Sequence, residues 1–227
     1  MTTSPRLVDF THTVVMGDLV QSESAPSVER LHTVFNRAIN QVNVSSRAAI
    51  ASPLTITLGD EFQGLCRSLA GGLGIIQQLR RRMLADNVQC RFALGVIRLE
   101  TPLRTDRAWN MMGPGLAATR EKLAGKRTVN AYRFSLPNQP VLEDLLEAIG
   151  YSATLVELDW TERQREIAIA SLSAESPAPQ VAKQLGVGVR TLYKIRSSAR
   201  LDFYQSQWRS LTNAIAALDD AYGLADD

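Results

Sequence analysis

Residues 54–65 alternate between apolar Leu54, Ile56 and Leu58 and polar Thr55 and Thr57, which predicts a strand. Gly59-Asp60 is a turn signal, because Gly accepts positive φ and Asp bonds its own turn. Phe62, Leu65 and Cys66 resume an apolar strand, so the stretch predicts a β-hairpin with Asp60 and Glu61 at its tip. Upstream, residues 10–20 read as a strand ending in Gly17-Asp18. Pro26 starts a helix over residues 28–44, with Leu31, Phe35, Ala38, Ile39 and Val42 in one stripe. Residues 45–53 read as a connector. A second helix runs over residues 68–85, with Leu69, Leu73, Ile76, Leu79 and Leu84 inward. Its Arg80-Arg81-Arg82 run is expected to be a solvated end complementing the helix dipole. A strand at 90–99, a loop at 101–111, a helix at 116–123 and a strand at 129–134 follow. The order is βαββαβ and then a tail, which predicts an α+β, ferredoxin-like sheet with helices on one face.

The tail reads as helical throughout. Residues 140–158 form a linking helix, and another starts at Trp160 with Thr161 as its N-cap. Residues 179–185, a Gly-containing turn at 186–189 and residues 190–200 then read as helix-turn-helix. Val181, Ala182, Leu185, Val187, Val189 and Leu192 form its inner face. A final amphipathic helix spans 203–222, with Tyr204 and Trp208 expected in the core. The expected division is a domain at 1–136, a linking helix at 137–159 and a helix-turn-helix domain at 160–227.

Composition adds constraints. With 45% hydrophobic and 21% charged residues the chain is ordinary globular material, large enough for one sizeable core. The net charge of +2 argues against a general polyanion binder. Residues 160–210, however, hold eight Lys/Arg against four acids, so any nucleic-acid contact is expected there. Arg190, Thr191, Tyr193, Lys194 and Arg196 fall on the outer side of the second helix, where base edges and phosphates would be met. Two cysteines and two histidines argue against a zinc site, and Cys66 and Cys90 are expected as buried free thiols of a reducing cytosol. The first residues carry no long apolar segment and no apolar run reaches 18 residues, so a cytoplasmic protein with no membrane partner is expected.

The candidate chemistry lies in Asp18, Asp60 and Glu61. Acids gathered from the end of the first strand and from the hairpin tip repel unless a cation neutralises them. Oxygen-only ligands suit Mg²⁺ or Mn²⁺, which commonly hold a nucleoside triphosphate. Gly17 and Gly59 would let backbone amides approach its phosphates. The same residues also read as two unrelated turns. Leu58-Gly-Asp-Glu-Phe62 resembles the signature of the GGDEF diguanylate cyclases, and the layout resembles the palm shared with class III nucleotide cyclases. Leu58 replaces the first Gly of that signature, and the residues that follow the first Asp in those cyclases are absent. Three segments, Gly17-Asp-Leu-Val-Gln-Ser22, residues 59–64, and Gly113-Pro114 with Ala118-Thr119-Arg120, resemble the SatD family. The cyclase resemblance implies metal binding by Asp18, Asp60 and Glu61; Arg120 and Lys122 read either as triphosphate contacts from the third helix or as surface charge on an amphipathic helix. The leading expectation is a regulator with a Mg-nucleotide-binding palm and a DNA-binding helix-turn-helix. The alternatives are an active nucleotidyl cyclase or transferase, and an inert module serving as the platform of a homodimer.

Overall fold

A computed structural model describes residues 11–20, 27–125, 128–173 and 177–224. Gln21, Ser22 and Pro26 lie outside the described residues. Strands β1 (His12–Leu19), β2 (Ile50–Ile56), β3 (Glu61–Cys66), β4 (Cys90–Ile97) and β5 (Tyr132–Ser135) form one sheet in the order β2-β3-β1-β4-β5. Neighbours are antiparallel except β4 and β5, which run parallel. The helices are α1 (Val28–Ser45), α2 (Leu69–Ala85), α3 (Leu116–Ala124), α4 (Pro140–Asp159), α5 (Glu162–Ser173), α6 (Ala178–Gln184), α7 (Val189–Ser198) and α8 (Leu201–Tyr222).

Local chemistry explains the element ends. Ser27 accepts a hydrogen bond from the Arg30 amide at 3.2 Å, and Ser68 accepts one from Gly71 at 3.1 Å, capping α1 and α2. Thr161 and Gln164 bond each other's backbone amides at 3.3 and 3.0 Å, a capping box at the start of α5. Strand β2 begins at Ile50, inside the expected connector, and carries Pro53. It is the edge strand, where a missing N–H is tolerated, and its register shifts around that proline. The Asn43 amide of α1 donates to the Leu54 carbonyl and accepts from the Leu54 N–H, both at 2.9 Å.

Helices cover both faces of the sheet, not one. Val15, Phe62, Phe92 and Leu94 face α1, α2 and α8 in the main core. Val14, Met16, Ala93 and Ile97 face the other way, onto Leu123 and Leu116 of α3. Period-two alternation along β1 and β4 feeds both cores, which is why these strands are apolar at nearly every position.

The Arg run at the end of α2 behaves differently from its sequence reading. Arg80 is buried, with 1% of its surface exposed. Its Nε and Nη2 donate to Glu157 Oε2 of α4 at 2.8 and 2.5 Å, and Nη2 also reaches Gln89 Oε1 at 3.0 Å. The Tyr132 hydroxyl of β5 and the Tyr204 hydroxyl of α8 each donate to Glu157 Oε1 at 2.6 Å. Burial opposes the charge of Arg80, but Glu157, helped by Tyr132 and Tyr204, outweighs it and raises the guanidinium pKa. Burial, and then the Glu157 carboxylate, push both phenols well above their ordinary value.

Helix α8 is built into this core. Tyr204, Trp208, Leu211, Ile215 and Tyr222 join the main cluster across the expected boundary at 160. Asp219 accepts from the Leu69 and Ala70 amides at 2.5 and 2.9 Å, placing a carboxylate at the N-terminus of α2. Helices α5, α6 and α7 pack around a smaller cluster of Ile167, Val181, Ala182 and Leu192. Cys66 and Cys90 are buried free thiols, and burial pushes Cys66 up to about 12. Among the described residues no helix is long and apolar enough to cross a membrane.

Removing one partner of a buried ion pair leaves the other charge without compensation. Glu157→Ala is expected to lower unfolding free energy by roughly 3–5 kcal/mol in urea titration, and Tyr204→Phe by about 1.5–3 kcal/mol. A loss under about 1 kcal/mol in Glu157→Ala would show that the pair does not hold the core.

Candidate functional site

The antiparallel register sets Asp18 of β1 directly opposite Glu61 of β3 on one side and Arg91 of β4 on the other. Residues paired across strands share a sheet face, here the face covered by α3. Two acids placed opposite each other repel. Arg91 offsets this with a two-pronged contact, Nε to Asp18 Oδ1 at 3.1 Å and Nη2 to Asp18 Oδ2 at 2.8 Å. Asp18 is 4% exposed, so this pair is shielded from solvent.

Asp60 follows the turn. Its carbonyl accepts from the Leu19 amide at 3.0 Å, which fastens the hairpin tip to the end of β1. It borders a cleft on the α1 side of the tip, together with Leu19, Leu31 and His32. The structure therefore brings Asp18 and Glu61 together on the α3 face and sets Asp60 at the edge of the cleft on the α1 side. Among the described residues no group of three His, Cys, Asp or Glu side chains is placed to hold a metal ion. Asp18 and Glu61 form a pair of oxygen donors, a set that suits a hard cation held by two carboxylates and completed by substrate oxygens.

Gly17 is placed by packing. It lies within β1, paired with Phe62 and Phe92, and its N–H belongs to the sheet. A Cβ there would come within 2.8 Å of the Phe62 ring and 2.9 Å of the Arg91 carbonyl. Gly59 holds the turn at φ +71° with open space around it.

Arg120 and Lys122 diverge. Arg120 of α3 reaches back to the hairpin, its Nη2 donating to Gln63 Oε1 at 3.2 Å. Lys122 points to α4, where its Nζ lies 2.8 Å from Glu143 and 3.2 Å from Glu147. Burial would lower its pKa, but those two carboxylates raise it overall. Lys122 thus has two counter-ions on α4, away from the hairpin. Gly113-Pro114 joins α3 to β4: the Pro114 carbonyl accepts from Arg98 and the Met112 carbonyl from Glu100, at 3.0 and 2.9 Å. At Gly113, φ is +158°, and a Cβ would run into the Arg98 carbonyl.

At the other end of the chain, α6 and α7 are joined by Leu185–Gly188 and pack through Val181, Ala182 and Leu192. Val189, expected inside, is 38% exposed. Arg190, Thr191, Tyr193 and Lys194 are exposed on α7. Arg196 turns back, its guanidinium 5.9 Å from the Tyr193 ring centre and 3.5 Å from Asp202.

Arg91 is the residue the sequence reading missed. Its position opposite Asp18 follows from β4 lying beside β1, a pairing that strand spacing alone does not give. Gly17→Ala tests the packing role assigned above. It is expected to destabilise the fold by about 1–3 kcal/mol through overpacking on Phe62, read as a lower urea midpoint. An unchanged midpoint would free Gly17 for another role.

The SatD family profile matches residues 12–184, which is most of the chain, and the protein belongs to the SatD family. The match takes in the whole sheet and α1 to α6 and ends before α7 and α8. No curated protein sequence matches the chain.

Proposed function

We propose that this SatD family protein is a regulator in which a palm-like domain binds a Mg²⁺ or Mn²⁺ nucleotide and α6–α7 bind DNA as a helix-turn-helix. The observation that carries the first half is the Asp18–Glu61 pair on one sheet face. It is supported by the strand order β2-β3-β1-β4, antiparallel throughout, which is that of a ferredoxin-like βαββαβ unit. In this reading Asp18 and Glu61 supply carboxylate oxygens, with Asp60 at the tip adding negative charge. The metal, when bound, neutralises the phosphates. Arg91 holds Asp18 in one rotamer, so the donor is oriented in advance. Arg120, which donates to Gln63 of the hairpin, is the cation this reading gives to a phosphate or a base.

The second half rests on the exposed face of α7. Arg190, Thr191, Tyr193 and Lys194 stand free of the small core that supports them, the disposition a recognition helix needs. Because α8 is shared with the sheet's core, the DNA-reading helix and the carboxylate site belong to one folded body.

Calorimetry of the full chain with ATP or GTP and Mg²⁺ tests the palm. Binding is expected in the native chain, weakened tenfold or more in Glu61→Gln and in Asp60→Asn, whose side chains lie at the surface end of the hairpin. Equal affinity in native chain and variants removes the carboxylates from the reading, and pyrophosphate release on binding would move it to a cyclase or transferase.

A gel shift of the full chain on duplex DNA across a salt series tests the helix pair. Binding is expected to weaken with salt, and Arg190→Ala combined with Lys194→Ala to flatten the log–log slope by about two. A slope unchanged by the double substitution would remove α7 from the DNA contact.

A further inference from the structure

Residues 99–115 arch over the α3 face of the sheet and leave a cleft of about 520 Å³ between themselves, the hairpin and α3. Met16 and Gln63, paired across β1 and β3, lie in it, with Trp109 from the arch, Leu116 and Arg120 from α3, and Leu58 from the hairpin tip. Its volume falls in the range of small-ligand sites, about 300–1,000 Å³, and its lining is mostly apolar with a few polar groups, the usual make-up of such sites.

The cleft is held in shape. Ala108 is fully buried, its N–H donates to Thr55 Oγ1 at 3.0 Å, and its carbonyl accepts from Gln63 Nε2 at 2.6 Å. That double contact pins the arch to the hairpin. The next residue, Trp109, is 48% exposed at the cleft, although an indole of this size normally finds cover. Gln63 spends its two polar atoms on Ala108 and Arg120, and so fixes where the guanidinium sits. The bond to Gln63 uses one of five N–H donors on Arg120.

Position supplies the rest. Asp18 and Glu61 lie two residues along the same strands from Met16 and Gln63, on the same face, about 6.8 Å away by strand rise. An aromatic wall, an apolar floor and a donor-only guanidinium therefore stand next to the carboxylate pair. A flat aromatic ring satisfies the wall and floor, and a ring with an acceptor edge satisfies the guanidinium. Purines present such an edge at N7, joined in guanine by O6, on a two-ring face that covers more of the indole; pyrimidines offer acceptors too, but on a single smaller ring.

We propose that this cleft seats the purine base of a nucleotide, stacked on Trp109, with Arg120 at its acceptor edge and its sugar leading toward Asp18 and Glu61. The proposal rests on the nucleotide reading above and names the part of the ligand that gives it selectivity.

Intrinsic fluorescence reads the stack, because Trp160 and Trp208 are buried and Trp109 is the exposed indole. The full chain is titrated with Mg²⁺ complexes of ATP, GTP, UTP and tripolyphosphate, and with guanosine and adenosine alone. ATP or GTP is expected to quench emission and to bind more tightly than UTP. Tripolyphosphate, which has no base, is expected to bind without quenching. Trp109→Ala is expected to weaken ATP or GTP by roughly 5- to 100-fold, the usual loss for one stacked base, and to leave tripolyphosphate unchanged. Trp109→Phe, which keeps a ring, is expected to recover most of that affinity. Equal affinity of Trp109→Ala and native chain for ATP and GTP, or UTP binding as tightly as both, overturns the proposal while nucleotide binding stands. Nucleosides quenching Trp109 while neither nucleotides nor tripolyphosphate bind would sink the metal–phosphate reading and keep the cleft. Absence of quenching by every nucleotide and nucleoside overturns the cleft outright.

Discussion

Four separate elements meet at the carboxylate of Glu157. Arg80 comes from α2, Glu157 from α4, Tyr132 from β5 and Tyr204 from α8, and all are buried. A charge in an apolar interior is costly unless its partner and its remaining hydrogen bonds are all in place. Here they are. Both oxygens of Glu157 are used, and Arg80 also has Gln89 and the Cys90 carbonyl at 3.5 Å. Apolar packing tolerates small slides of one helix over another, but this cluster does not. A shift of α8 or α4 along its axis would strand a charge. The network therefore fixes helix positions that the surrounding Leu, Ile and Trp side chains would hold less narrowly.

From that fixed frame the site follows. Strands β1, β3 and β4 carry Asp18, Glu61 and Arg91 in one row because β1 lies between the other two. The α3 face is set by Gly113-Pro114, whose backbone lies against the end of β4 and starts the helix over that face. Positioning of the carboxylates is thus a property of the sheet, and the cleft beside them is framed by a loop tied to the hairpin at Ala108.

Much of this was readable beforehand, and the exceptions have physical causes. The stripe Leu31, Phe35, Ala38, Ile39 and Val42 announces α1, and alternation with Gly59-Asp60 announces the hairpin. Arg80 was hidden in a triplet that looks like a solvated helix end. A finer reading was available: Leu69, Leu73, Ile76, Arg80 and Met83 are spaced 4, 3, 4 and 3 residues apart, which puts Arg80 on the buried stripe. Leu146, Gly150, Ala153 and Glu157 repeat that spacing on α4. A basic and an acidic residue, each intruding on an apolar stripe, are candidates to pair. The covering of the second sheet face by α3 was not legible, since both faces of β1 and β4 are apolar and local pattern does not say what covers either. The Asp18–Arg91 contact depends on a strand pairing between residues 73 apart in sequence. The sequence reading pairs Asp18 with Asp60 and has Glu61 assist, whereas the register sets Glu61 opposite Asp18, because alternation along a strand sends neighbours to opposite faces.

The placement of α8 also constrains how the chain is made. On a ribosome the segments emerge in order, so the sheet, α2 and α4 are exposed before the last helix exists. Until Tyr204 and Trp208 arrive, Glu157 lacks one of its donors and the Tyr132 ring lacks the indole that packs edge-on against it at 5.0 Å. Until Asp219 arrives, two amides at the start of α2 wait for their acceptor. The seam along α2 thus closes only once α8 has been made, after the sheet, α2 and α4.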